Sequence, residues 1–197
     1  LMFEPVSVTY EKLMRNISQI ENGCVAKAFP LAMSNESGLA EMLILSETGG
    51  TNSLDFDSTL AAAAIGRTQI EKVTIDDFCT TEAIEHIHLL KFDTEGHDAH
   101  ALLGAREMLK DSCLDVVQFE YNHRWIHARS YLKDVFDLVE GLPYNIGRIC
   151  PDHIEIFKTW HFELDRFFEG NYIIVNDSAL DWFDVHEGHF DASNTYA

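Results

Sequence analysis

Positive charge is scarce in this chain. Its 14 Lys and Arg stand against 33 Asp and Glu, a formal net charge of -19 over 197 residues. A surface that negative repels nucleic-acid phosphates and anionic lipid, so the expected partner is a small neutral or cationic molecule. Cysteine is sparse as well. Cys24, Cys79, Cys113 and Cys150 lie far apart with no CxxC pair, which argues against a disulfide framework or a cysteine-based zinc site and fits a reducing compartment. No apolar run approaches the roughly 20 residues that a membrane-spanning helix needs. No basic-then-apolar leader opens the chain either, so a cytoplasmic protein is expected. A P-loop, a GxSxG nucleophile elbow and internal repeats are all lacking.

What is present is an ordinary globular composition, 46% hydrophobic, in a chain long enough for one domain with a real core. Its polar chemistry concentrates in one stretch. Residues 87–92 form an apolar run of the kind that makes a strand buried on both faces, and Asp93, Glu95, Gly96 and His97 follow where that strand must stop. Asp98 then reads as the N-cap of a helix, with Ala101, Leu102, Ala105, Met108 and Leu109 at helical spacing. An acid after a strand is often only a solvated turn or a cap. Two carboxylates, a glycine and a histidine within five positions tip the reading toward a site, because open α/β sheets bind ligands outside the carboxyl ends of their strands.

The rest of the chain supports an α/β reading. Leu1, Met2 and Phe3 resemble the end of a buried strand, which leads to the expectation of an upstream segment; Glu4 sits at its tip and Pro5 stops it. An acid in that place accepts the two hydroxyls of a ribose in dinucleotide folds. A helix capped near Ser7 follows, with Val6, Tyr10, Leu13, Met14, Ile17 and Ile20 as its apolar stripe and Asn22-Gly23 as its stop. Strands are expected over 24–33, broken at Pro30, and over 39–45 and 69–75, with an irregular loop at 47–53 and a small-residue apolar run at 60–65. Asp76-Asp77 reads as capping a short helix at 81–86. Further on come a strand over 113–119 with Glu120 at its end, a helix over 130–139, and late strands at 144–149 and 171–175, expected as an antiparallel pair at the sheet edge. Residues 176–197 hold five acids and no Lys or Arg, and are expected to form a partly disordered acidic tail beside a domain spanning 1–175. His97 with His100, His123 with His127, and His186 with His189 have helical spacing but lack a third ligand at fixed separation, so no metal site is expected.

Taken in order, Phe3-Glu4-Pro5, the 33–38 segment, Asn52-Ser53, the 73–78 segment, the 91–98 segment with Leu103-Gly104-Ala105, Phe119-Glu120 and Asn171-Tyr172 resemble the FkbM-type methyltransferases over residues 3–175. The resemblance implies an S-adenosylmethionine-dependent enzyme that methylates a hydroxyl of a sugar, polysaccharide precursor or natural product. It also implies a Rossmann-like α/β fold with a mostly parallel sheet, helices on both faces and an antiparallel last strand. Carried over, Glu4 holds the ribose, Ala32, Met33 and Ser34 border the adenine, and Asp93, Glu95 and His97 line the methyl-transfer pocket. Asn52, Ser53, Glu120 and His123 fall on the substrate side. His97 or Asp93 is the expected base and Glu95 the orienting group, with His123 an outside choice for base. Two features depart from the family pattern. The first strand and glycine-rich cofactor loop, which should precede Phe3, are absent from this sequence, and Asp98 stands where the family usually has Glu. Weak cofactor binding is the expected result. Three other readings stay open: a metal-dependent nucleotide-sugar transferase using Asp93 and Glu95, a dehydrogenase using Glu4, and a non-catalytic interaction domain. The acceptor and the oligomeric state are not legible.

Overall fold

A computed structural model describes residues 1–20, 25–46 and 52–195 of the chain. The first half holds β1 (Met2–Phe3), α1 (Ser7–Ile17), β2 (Ala28–Phe29), β3 (Ala32–Met33), β4 (Gly38–Ile44), α2 (Ser58–Ala63), β5 (Gly66–Val73) and α3 (Ile75–Glu82). The middle holds β6 (Ile87–Lys91), α4 (Asp98–Leu103), α5 (Arg106–Lys110), β7 (Leu114–Tyr121), α6 (Trp125–Ala128) and α7 (Leu132–Leu138). The last part adds β8 (Tyr144–Ile149), β9 (Ile154–Phe157), β10 (Gly170–Asn176) and β11 (Val185–Glu187).

Six strands form the main sheet in the order β11-β9-β8-β10-β7-β6. At its centre β7 and β10 pair antiparallel from Gly170 opposite Tyr121 to Val175 opposite Val116. They are central because their residues are buried on both faces: Leu114, Val116, Val117 and Phe119 in one, Tyr172 to Val175 in the other. A two-stranded parallel pair, β1 with β2, and a three-stranded sheet, β3-β5-β4, stand beside it.

The protein is α/β, with three corrections to the expected layout. Only the β6–β7 and β11–β9 pairings of the main sheet are parallel, while β7–β10, β10–β8 and β8–β9 are antiparallel. The late strands do form an antiparallel pair, but β10 lies between β8 and β7 and not at the edge, as its run of apolar residues on both faces requires. Helices were expected on both faces. One face packs Ala101, Leu102, Leu109, Leu132 and Val135 against the sheet. The second apolar cluster is closed by Ala179, Leu180 and Phe183, from and just after the 3-10 segment Asp177–Trp182, and Leu89 on β6 stays 64% exposed.

Local chemistry explains the other differences. The short helix begins at Ile75 and not near 81, because the Thr74 hydroxyl accepts from the Asp77 N–H and sets the start; Ala83, with a φ of 53°, ends it. Asp76 caps a different helix. Its carboxylate accepts from the N–H groups of Glu107 and Met108, both at 3.0 Å, at the start of α5. The apolar stripe of α1 is only partly covered, with Met14 43% and Ile20 39% exposed. Its expected stop at Asn22-Gly23 lies outside the described residues. From the expected acidic tail, β11 pairs with β9 in the main sheet.

One close approach positions the site. A Cβ on Gly104, at the end of α4, would lie 2.0 Å from the Ser34 carbonyl oxygen, and backbone cannot swing aside as a side-chain tip can. Gly104→Ala is therefore expected to destabilise the fold by about 1–3 kcal/mol. Urea unfolding measures this, and an unchanged midpoint would contradict the contact.

Candidate functional site

A cavity of about 350 Å³ lies where β1, β3 and β6 deliver their carboxyl ends, within the size range of small-molecule sites. Glu4, Ala32, Met33, Asn52, Asp93, Glu95 and His97 all line it, with Phe3, Leu54 and Phe92 as apolar wall. Four other candidates do not. Ser34 and Ser53 are buried behind that wall, Glu120 is half-buried, and His123 is exposed.

Glu4 leaves β1 with its Oε1 accepting from the Val6 N–H at 2.8 Å. Burial pushes its carboxyl above the ordinary range and that bond opposes the rise. Its second oxygen accepts no hydrogen bond from the described residues. Asn52 is fixed from the other side, since its Oδ1 accepts from the N–H groups of Leu45 at 3.0 Å and Ser46 at 3.4 Å. The Asn52 Nδ2 is buried with no hydrogen-bond partner among the described residues. A buried donor left unpaired costs about 1–3 kcal/mol, and an orphan at a cavity wall marks where a ligand acceptor fits. Ser53 holds this segment in place, exchanging two backbone bonds with Leu43 and donating its hydroxyl to the Asp55 carbonyl at 2.8 Å.

The loop after β6 turns through Glu95 and Gly96, with φ values of 56° and 103°. Gly96 is required twice over, because a Cβ there would also meet the Arg124 Cβ at 2.7 Å. Arg124 Nε lies 3.3 Å from Glu95 Oε2. Burial pushes the Glu95 carboxyl up, Arg124 opposes this, and Asp93, Asp98 and Glu169 reinforce it. Glu120 is raised the same way, first by burial and then by Asp93 and Glu169. Asp93 pairs with Lys91 Nζ at 2.7 Å in the open. Asp98 was expected to cap α4, but His97 occupies the N-cap position and Asp98 is the first helical residue. Its wholly buried carboxylate instead accepts from the Thr94 hydroxyl at 2.8 Å and the Glu120 N–H at 3.3 Å.

Both ring nitrogens of His97 are occupied. Nδ1 lies 2.5 Å from Asp55 Oδ2 and Nε2 lies 2.9 Å from Ser34 Oγ. His100 Nδ1 approaches the same Asp55 oxygen at 3.3 Å. Burial disfavours charge on Asp55, but hydrogen bonds from His100 and His97 outweigh it and hold the carboxyl well below the ordinary range. Sequence reasoning missed Asp55, which lies in an irregular stretch 42 residues from His97 with no motif around it. Of the candidate bases, Asp93 and Glu95 bring carboxylates to the cavity with fewer commitments than the His97 ring.

The cavity of this α/β protein thus gathers carboxylates at strand ends, the place where open α/β sheets bind ligands. The methyltransferase FkbM domain matches residues 1–146, three quarters of the chain, and the protein belongs to that family. No curated protein and no solved structure matches it. Membership supports a methyltransferase activity. No helix among the described residues is long and apolar enough to cross a membrane.

Asp55 gives a pH-dependent expectation. A carboxyl depressed in the fold contributes stability that is fully present above its unfolded pKa of about 3.9 and is lost as pH falls toward the folded value. Asp55→Asn is expected to lower stability by about 1–3 kcal/mol at pH 7, with the difference from the parent shrinking below about pH 4. Urea titrations at both pH values measure it.

Proposed function

We propose that the cavity binds S-adenosylmethionine and that the protein methylates a hydroxyl of a sugar, polysaccharide precursor or natural product. The observation that carries this reading is the meeting, on one cavity, of Glu4 with an uncommitted carboxylate oxygen, Asn52 with an unpartnered amide, and the acidic loop of Asp93 and Glu95. These residues fit the group. A negative wall favours a sulfonium cation, Glu4 suits paired ribose hydroxyls, the apolar Ala32 and Met33 suit the flat face of a base, and the Asn52 amide suits an acceptor oxygen. When bound, the cofactor supplies a methyl group on a positively charged sulfur.

The protein's part is to hold an acceptor hydroxyl in line and take its proton. Positioning accounts for much of the rate in such a reaction. Glu95 is the proposed base, because burial raises its proton affinity while its side chain stays at the cavity, and Asp93 orients the substrate or the cofactor's ammonium group. His97, fixed on both nitrogens, shapes the wall. Ser53 supports Asn52, and Glu120 and His123 lie outside the lining of the cavity. Cys79, Cys113 and Cys150 are free thiols, which suits the reducing cytoplasm proposed for the protein.

Calorimetric titration tests the cofactor. S-adenosylmethionine is expected to bind in preference to NAD, and Glu4→Ala to weaken it by about 10–100-fold through loss of hydrogen bonds to a charged group. Failure of S-adenosylmethionine to bind, or equal binding by Glu4→Ala, would refute the reading. Glu95→Gln is expected to cut turnover by about 100-fold or more with little change in cofactor affinity. Because the base works only when ionised and its pKa is raised, the parent rate should fall on acidification at a pH above the ordinary glutamate value of about 4.3.

A further inference from the structure

Asp55, His97 and His100 bring three ligand atoms together on one side of the cavity wall. Asp55 Oδ2 lies 2.5 Å from His97 Nδ1 and 3.3 Å from His100 Nδ1, and the two Nδ1 atoms are 3.3 Å apart. Zinc held at its usual bond lengths in a tetrahedral site separates neighbouring ligand atoms by roughly 3.3–3.5 Å. Two of the three edges already have that spacing. The third needs to open by about 1 Å, a small movement for a loop carboxylate.

The proton inventory points the same way. Ser34 Oγ lies 3.2 Å from Asn35 Oδ1, which accepts its hydroxyl hydrogen. Ser34 Oγ also lies 2.9 Å from His97 Nε2. With a metal ion on Nδ1, the His97 Nε2–H would donate to that hydroxyl, the arrangement in which a second group orients a metal-bound imidazole. A ring nitrogen and a carboxylate oxygen 2.5 Å apart need a positive charge between them, either a proton or a cation. His97 and His100 share one face through their three-residue spacing at the start of α4, while Asp55 comes from the segment between β4 and α2. His97 is buried, but Asp55 and His100 are 17% and 24% exposed at their side chains, which leaves an entry path and an open position for water.

We infer that Asp55, His97 and His100 form a binding site for a divalent transition-metal ion of the zinc type. Two imidazoles and one carboxylate suit zinc or cobalt better than magnesium or calcium, which prefer oxygen ligands. The ion cross-links the segment carrying Asn52 and Ser53 to α4 and so sets one wall of the cavity. A second cluster, His86, His88 and Asp115, is a weaker candidate, because His88 Nε2 stands 4.0 Å from Asp115 Oδ2 and its side chain is 81% exposed. The site does not rest on the methyl-transfer reading, and its test contains no S-adenosylmethionine.

The test uses tag-free protein stripped with chelator and titrated with Co²⁺, then Zn²⁺. The expected result is one Co²⁺ per chain with visible ligand-field bands, displaced by Zn²⁺, and a rise in Tm with Zn²⁺. His100→Ala is expected to weaken binding by about 100-fold or more and remove the Tm rise, while His86→Ala leaves both unchanged. Circular dichroism checks that His100→Ala folds, and His100→Asn takes its place should it not. No stoichiometric binding, binding that survives loss of His100, or binding lost with His86 would overturn the site and leave a hydrogen-bonded Asp55–His97 pair in its place.

Discussion

The buried carboxylate of Asp98 is the constraint on which the rest of the site depends. It ties the loop after β6 to β7 by accepting from the Thr94 hydroxyl and the Glu120 N–H. Taking an isolated carboxylate out of water is very unfavourable, and only such donors make it tolerable. Burial still pushes its proton affinity up, with both bonds working against the rise. Because moving Asp98 off these donors would leave a buried charge uncompensated, it fixes the arc that carries Asp93, Glu95 and His97. Gly96 completes the arc by allowing the turn and the approach of Arg124.

From that anchor the wall is built outward in two directions. Gly104, at the far end of α4, lets the helix approach the Ser34 carbonyl, and Ser34 reaches back to His97. On the other side Asp55 draws the β4–α2 segment onto His97 and His100, so Asn52 is carried to the cavity with its amide unpaired. The acidic lining is unfavourable for the protein alone. Glu4 and Glu95 in that lining, and Glu120 outside it, are all raised by burial, and each such group binds a proton more tightly in the fold than unfolded. Their combined effect lowers stability as pH rises through the acidic range and makes a bound cation favourable.

Much of the layout was legible in the sequence, and the reasons differ by element. Residues 144–149 and 171–175 announced β8 and nearly all of β10 by apolar and β-branched runs, and 87–92 announced β6 to within a residue. Their partners were not legible. Antiparallel pairing around β10 depends on contacts far apart in the chain, and β9 and β11, at four and three residues, are too short for a periodic signal. The residues quoted for the family likeness converge on the cavity where they follow strand ends, as Glu4, Asp93 and Glu95 do. Asp55 was invisible because its importance comes only from meeting two histidines on another element, which no local pattern encodes.

In the proposed complex this one cavity takes the cofactor, with Asn52 donating to it. The most direct measurement is the NMR signal of the Asn52 side-chain amide, assigned by its loss in Asn52→Asp, followed as S-adenosylmethionine is added. A saturable shift of that signal is expected, together with shifts of the backbone amides of Glu4 and Glu95. Shifts confined to residues away from the cavity, or none at saturating ligand, would contradict it.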